Sequence, residues 1–141
     1  MKGFLDSSVL IAAFLGDHLH HQASLACLAG FDPLTGCCGA HSLVEVYSAL
    51  TRLPGKHRVT GDQALLFLDC VREKLSVIPL TGQEYVEALS NAAALGIMGG
   101  TVYDAMLAHC ALKANAKKIY TWNVRHYSLC GALVKERVCT P

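Results

Sequence analysis

Hydrophobic positions along this chain fall into short unbroken runs and longer stretches with helical spacing. The two patterns predict different elements. Gly3-Phe4-Leu5 is an apolar run of strand length, and Val9–Leu15 continues as an apolar helix after Ser7-Ser8. Leu19–Leu28 predicts a second helix, ended by Gly30 with Pro33 a little beyond. Thr35–Gly39 is small-residue chain suited to an inner strand. His41–Leu53 then carries Leu43, Val46, Tyr47 and Leu50 on one helical stripe, with Pro54-Gly55 as its stop. Gly61–Lys74 repeats that spacing with Ala64, Leu65, Leu68 and Val71. Val77-Ile78 reads as a third strand ending at Pro79, and Thr81–Leu95 as a capped helix closing at Gly96. Thr101–Lys113 is apolar nearly all round, the pattern of a buried helix. Lys118-Ile119-Tyr120 is a fourth strand, and Leu133-Val134 a candidate fifth.

Strands alternating with helices argue for an α/β sandwich around a mostly parallel sheet. No repeat, low-complexity tract or linker interrupts the pattern, so residues 1–141 read as a single domain. Apolar residues make up 52% of the 141 positions and charged residues 16%, with a mean hydropathy of +0.35. That is ample apolar surface to offset chain entropy, which excludes intrinsic disorder. Twelve Lys and Arg against eleven Asp and Glu leave +1, which argues against a simple polybasic nucleic-acid binder. The apolar surplus suggests a subunit interface. An acid at position 6 argues against a signal peptide, and no run reaches the ~18–20 apolar residues of a membrane helix. Seven cysteines without a C-x-x-C spacing support neither a zinc site nor a redox motif. They read as small buried hydrophobes of a protein in the reducing cytoplasm.

With so few acids, their positions carry information. Asp6 follows the first strand at its carboxyl end, where open α/β sheets bind ligands, although it also suits a helix cap. Glu45 shares its helix face with His41, Ser48, Ala49 and Arg52, small or polar neighbours that fit either a solvated face or a shallow cleft. Asp104 stands three residues after Thr101, as in a capping box, yet it enters a helix that the core surrounds. A carboxylate there is costly unless paired. Thr121-Trp122-Asn123 follows the fourth strand, with Asn123 also readable as a turn residue. If Asp6, Glu45, Asp104 and Asn123 meet, the three carboxylates raise one another's pKa values. A divalent cation such as Mg²⁺ or Mn²⁺, which takes oxygen ligands, would relieve that conflict.

Four motifs in register, Leu5-Asp6-Ser7-Ser8, Ser42-Leu43-Val44-Glu45-Val46-Tyr47, Tyr103-Asp104-Ala105 and Thr121-Trp122-Asn123-Val124-Arg125-His126-Tyr127, resemble the PIN domain. The likeness is greatest to VapC-type toxins of prokaryotic toxin–antitoxin pairs, and it covers essentially the whole chain. It implies a three-layer α/β/α sandwich with a parallel five-stranded sheet and RNA cleavage with Mg²⁺ or Mn²⁺, leaving a 5′-phosphate and a 3′-hydroxyl. It further implies that Asp6, Glu45 and Asp104 are the core acids of the site. Asn123 falls where many members carry a fourth acid, a departure that weakens the case for a second metal. Ser8 matches a polar position that helps bind metal, and Thr121 a hydroxyl at the edge of the site. A homodimer and a VapB-like antitoxin are the implied partners, with no membrane.

The expected reaction is hydrolysis of an RNA phosphodiester by metal-activated water, needing no serine, cysteine or histidine nucleophile. Arg52, Lys56, Arg58 and Arg125 are candidate phosphate contacts. His126 is a candidate RNA contact or packed residue rather than a general base, and Trp122 and Tyr127 are candidate base-stacking rings. Competing readings are an RNA-processing nuclease without a toxin role, a degenerate non-catalytic PIN module, and a phosphatase using Asp6 as nucleophile. The last is disfavoured because Ser8 stands where the common phosphatase pattern has a second Asp.

Overall fold

The computed structural model describes residues 1–141. Its centre is β1 (Gly3–Leu5), flanked by β2 (Gly36–Gly39) and β4 (Lys118–Tyr120), with β3 (Ser76–Ile78) and β5 (Val138–Cys139) at the edges. All pairings are parallel, in the order β3-β2-β1-β4-β5. The chain first builds one half of the sheet and then crosses β1 to build the other. The strand order therefore reverses beside β1. Open α/β sheets bind ligands at that point, outside the carboxyl ends of the strands.

Eight helices cover the sheet. They are α1 (Ser7–Phe14), α2 (His21–Ala29), α3 (Ala40–Thr51), α4 (Gly61–Lys74), α5 (Gly82–Ala94), α6 (Thr101–Lys113), α7 (Val124–Ser128) and α8 (Ala132–Lys135). Strand alternation sorts them into layers, because successive side chains leave a strand on opposite faces. Leu5 and Cys38 join Val9, Leu10, Val46 and Leu68 in a core beneath α1–α4. Phe4 and Cys37, their sequence neighbours, join Leu107, Ala111, Tyr127 and Val134 in a core beneath α6–α8. Burying a side chain such as Leu5 or Phe4 completely stabilises the fold by ~1.5–3 kcal/mol each. The result is the expected three-layer sandwich. Gly39 lets α6 approach β2, since a Cβ there would lie 2.5 Å from Leu107 Cδ2.

Several local expectations are corrected. Leu133-Val134 belongs to α8, and the fifth strand is Val138–Cys139. Two apolar residues have no readable period. Gly131, at φ 102°, starts a helical turn that buries Val134 and leaves Leu133 outside. The short helix α7 was not expected at all. Thr101 does not form a capping box: Gly100 is the cap residue, and the Val102 and Tyr103 N–H groups donate to the Gly99 and Gly100 carbonyls at 3.2 Å. The true capping boxes are Thr60 with Gln63 and Thr81 with Glu84. On α4, Leu65 is exposed and Phe67 takes its place in the core, while Tyr47 of α3 is also exposed.

All seven cysteines are free. Burial pushes the Cys27, Cys37, Cys110 and Cys130 thiols up to about 11 and Cys38 to about 12, so these five stay protonated and inert at neutral pH. Cys70 departs from the expectation, being exposed. No helix is long and apolar enough to cross a membrane.

Candidate functional site

The register of β1 against β4 pairs Leu5 with Tyr120, which sets Asp6 and Thr121 side by side as the two strands end. Asp6 both caps α1, accepting from Ser8 N–H at 3.3 Å, and anchors a hydrogen-bond cluster. Ser8 Oγ and Thr121 Oγ1 donate to Asp6 Oδ2 at 2.7 and 2.9 Å, and the Tyr127 hydroxyl donates to Oδ1 at 2.7 Å. The two smaller hydroxyls are oriented from behind. Trp122 N–H donates to Ser8 Oγ at 3.0 Å and Asn123 N–H to Thr121 Oγ1 at 2.9 Å. Asp6 is 1% exposed, so this cradle is what compensates its removal from water.

Asp104 arrives on the first turn of α6, almost buried. Because no cap bond uses its side chain, Oδ2 is free to meet His126 Nδ1 at 2.8 Å. Burial foremost, and then the charge of Asp6, raise the Asp104 pKa, while the bond and charge of His126 oppose them. Glu45 points from the middle of α3. Its Oε1 is buried without a hydrogen-bond partner, although His41 Nε2 lies 3.5 Å away within ion-pair reach. Burial first, then the charges of Asp6 and Asp104, raise Glu45 to about 7. The same three carboxylates, after burial itself, push the Tyr127 hydroxyl well above its ordinary value.

Asp6, Glu45 and Asp104 thus share one electrostatic neighbourhood at the reversal point of the sheet. Oxygen donors, mutual repulsion and an orphaned buried oxygen are the chemistry that suits a hard divalent cation. The side chains are not already drawn together into a ready coordination sphere. The Asn123 side chain is exposed and makes no hydrogen bond, so it reaches the cluster only through its backbone N–H.

The remaining candidates disperse. Arg52 lines a cleft of about 430 Å³ with His41, Glu45, Ser48 and Tyr103. Lys56 and Arg58 instead border a separate hollow with Phe14, Val59, Leu66 and Phe67. Arg125 is exposed on α7. His126 is exposed, and its Nδ1 is bonded to Asp104. Neither ring expected to stack on a base is available. Tyr127 is fully buried, and Trp122 is covered by His20, stacked at 3.6 Å, with its indole N–H held by Ser24 Oγ at 2.8 Å.

Sequence reasoning missed Tyr127 and His126 as partners of the acids. The one signal was their place six and five residues past Thr121, in a segment that reads as loop. Tyr127→Phe should keep the packed ring but remove the donor to Oδ1, lowering unfolding stability by ~1–3 kcal/mol. Urea denaturation would check this, and an unchanged midpoint would show that the bond contributes nothing.

A PIN domain family model matches residues 3–131. Ribonuclease VapC40 of Mycobacterium tuberculosis is 33% identical over 112 residues, 79% of this chain and 80% of the relative. Ribonuclease VapC27 of the same species is 34% identical over 114 residues, 80% and 79% of the two chains. Among solved structures, M. tuberculosis VapC20, described as a sarcin-ricin loop cleaving toxin, superposes with a TM-score of 0.72 at 16% identity, covering 89% of this chain and 92% of that one. VapBC2 from Rickettsia felis, bound to a DNA fragment from its promoter, gives 0.62 at 19% identity over 91% and 92%.

Proposed function

The chain belongs to the PIN domain family, among its VapC ribonucleases, and on that premise we propose that it is a divalent-metal-dependent endoribonuclease acting as the toxin of a toxin–antitoxin pair. The observation that carries this reading is the buried Glu45 Oε1, which receives no hydrogen bond and has only His41 at 3.5 Å, in the same electrostatic neighbourhood as Asp6 and Asp104. Such a group is a liability to a fold and an asset to a cation site.

In this reading Asp6, Glu45 and Asp104 would hold Mg²⁺ or Mn²⁺, and Asn123 would contribute through its backbone N–H, which orients Thr121. The ion, when bound, supplies a Lewis acid that makes water nucleophilic at neutral pH and offsets charge on the phosphodiester. The protein's own part is positional. Ser8, Thr121 and Tyr127 lock the Asp6 carboxylate in one orientation, and His126 does the same for Asp104. Arg52 contacts the RNA backbone in the cleft beside Glu45, and Arg125 lies on the exposed surface of α7. A VapB-like antitoxin finds an apolar groove between α3 and α4, lined by Leu43, Val44, Tyr47, Leu65 and Leu68.

The test is cleavage of RNA by the purified protein with Mg²⁺ or Mn²⁺ and with chelator, using Asp104→Asn as control and mapping the new RNA ends. Cleavage with metal alone, absent in the variant, is expected. Binding should also weaken steeply between low and physiological salt, as phosphate contacts require. Metal-independent cleavage, or full activity of the Asp104 variant, would reject the reading.

A further inference from the structure

We infer that Tyr103, flanked by His41, is a stacking shelf for the nucleobase next to the scissile phosphate of a single-stranded RNA. The inference rests on the ribonuclease reading and adds to it the part of the substrate that the cleft recognises.

Tyr103 begins the exposed side of α6, one residue before Asp104, and is 52% exposed. Its ring lies parallel to that of His41, with centroids 5.4 Å apart and an interplanar angle of 6°. At that separation the two rings are offset along their common plane direction, so His41 flanks the tyrosine and leaves much of its ring open. The ring thus stands at the wall of the cleft with about half of its surface open to an incoming planar group. His41 Nε2 lies 3.5 Å from Glu45 Oε1, without a hydrogen bond between them, so the shelf borders a site carboxylate.

The cleft supplies the rest of a nucleotide site. Ile11, His41, Glu45, Ser48, Arg52 and Tyr103 line its volume of about 430 Å³. Along α3, His41 lies four residues before Glu45 and Arg52 seven after it, about 6 Å and 10 Å on either side at the helical rise. An aromatic platform at one end and a guanidinium at the other, with the Glu45 carboxylate between them, match the parts of a nucleic acid strand spanning a cleavage point. The base takes the aromatic face and the backbone phosphate takes the arginine. Such stacking requires an unpaired, splayed base, so the shelf selects single-stranded or looped RNA over duplex. The choice of Tyr103 follows from elimination as well as from geometry. Trp122 and Tyr127, the other rings near the site, are occupied by His20 and by the core.

The test uses single-stranded oligoribonucleotides carrying 2-aminopurine at successive positions, bound in a Glu45→Gln background so that cleavage does not intervene. Quenching of 2-aminopurine at one position is expected with this protein and with an added Tyr103→Phe, which keeps the ring. An added Tyr103→Ala should lose the quenching and bind roughly 5- to 150-fold more weakly, the range that a stacked base contributes. In cleavage assays with Glu45 intact, Tyr103→Ala should raise KM more than it lowers kcat. If Tyr103→Ala keeps the quenching and binds within twofold of its parent while the unmodified protein cleaves RNA, the shelf is rejected and the ribonuclease reading stands. If the unmodified protein neither binds nor cleaves RNA, both are rejected.

Discussion

Glu45→Gln is expected to lose about 10³-fold or more of RNA cleavage while unfolding at a higher temperature than the unmodified protein in chelator. The two effects share one cause. Oε1 is buried without a hydrogen-bond partner, and burial together with Asp6 and Asp104 holds the carboxyl at about 7 instead of its ordinary 4.5. The folded state therefore binds this proton more tightly than the unfolded chain does. Below pH 4.5 both states are protonated and the group makes no difference. As pH rises from 4.5 to about 7 the unfolded chain ionises first, and folding stability falls. Above about 7 the deficit is complete. This is opposite in sign to a carboxylate stabilised by a salt bridge. Glutamine does not titrate, so the variant's advantage should be absent in acid and full near pH 8. Denaturant unfolding at several pH values in chelator measures it directly. Added Mn²⁺ should then stabilise the unmodified protein and leave the variant unmoved. A variant that is less stable than its parent at pH 8 would show that the His41 contact outweighs the burial of the Glu45 charge.

Asp6→Asn should abolish cleavage to a similar degree and, unlike Glu45→Gln, also destabilise the fold, by ~2–4 kcal/mol. Asp6 accepts from three hydroxyls and one backbone N–H, and it donates to none. An amide replaces one of its acceptor oxygens with a donor. Whichever way it turns, that donor faces either the Tyr127 hydroxyl or the Ser8 and Thr121 hydroxyls. The latter two already accept from Trp122 and Asn123 N–H groups. Asp6 also caps α1, so the loss reaches the first helix. Thermal or urea unfolding of the variant in chelator is the measurement. A stable, inactive Asp6→Asn would mean that the cradle does not hold the carboxylate. Two acids of one site are thus expected to act oppositely on stability, because one is fully hydrogen-bonded and the other has a buried oxygen that receives no hydrogen bond.

Much of the fold was legible in the chain. The long helices α4 and α6 and the strands β1 and β4 stand where the apolar spacing predicts them, since a sustained period of 3.6 or an unbroken apolar run leaves little choice. The errors collect in short segments. Leu133-Val134 and Val138-Cys139 are equally apolar pairs, and only pairing with Ile119 and Tyr120 on β4 decides which is the strand. Thr101 and Asp104 have capping-box spacing, but Gly100 already has helical dihedrals and takes the cap position, with Gly99 at φ 65° before it. That frees the carboxylate for His126.

For the candidate site, the chain alone named the three acids and the strand ends that carry two of the site's elements. It also grouped His41, Ser48, Ala49 and Arg52 on the face of Glu45, because helical neighbours follow from the 3.6-residue period. What each acid touches was a tertiary matter. Asp6 and Tyr127 lie 121 positions apart, and nothing local distinguishes a tyrosine that stacks on a base from one that donates to a carboxylate. Trp122 looked suited to a base by type alone, and the fold stacks it on His20, while Lys56 and Arg58 border a hollow separate from the cleft of Arg52. Periodicity is a property of neighbours in sequence, so it identifies elements and their faces. Hydrogen-bond satisfaction and burial depend on which elements meet, and only the assembled sheet and its two helical layers determine them.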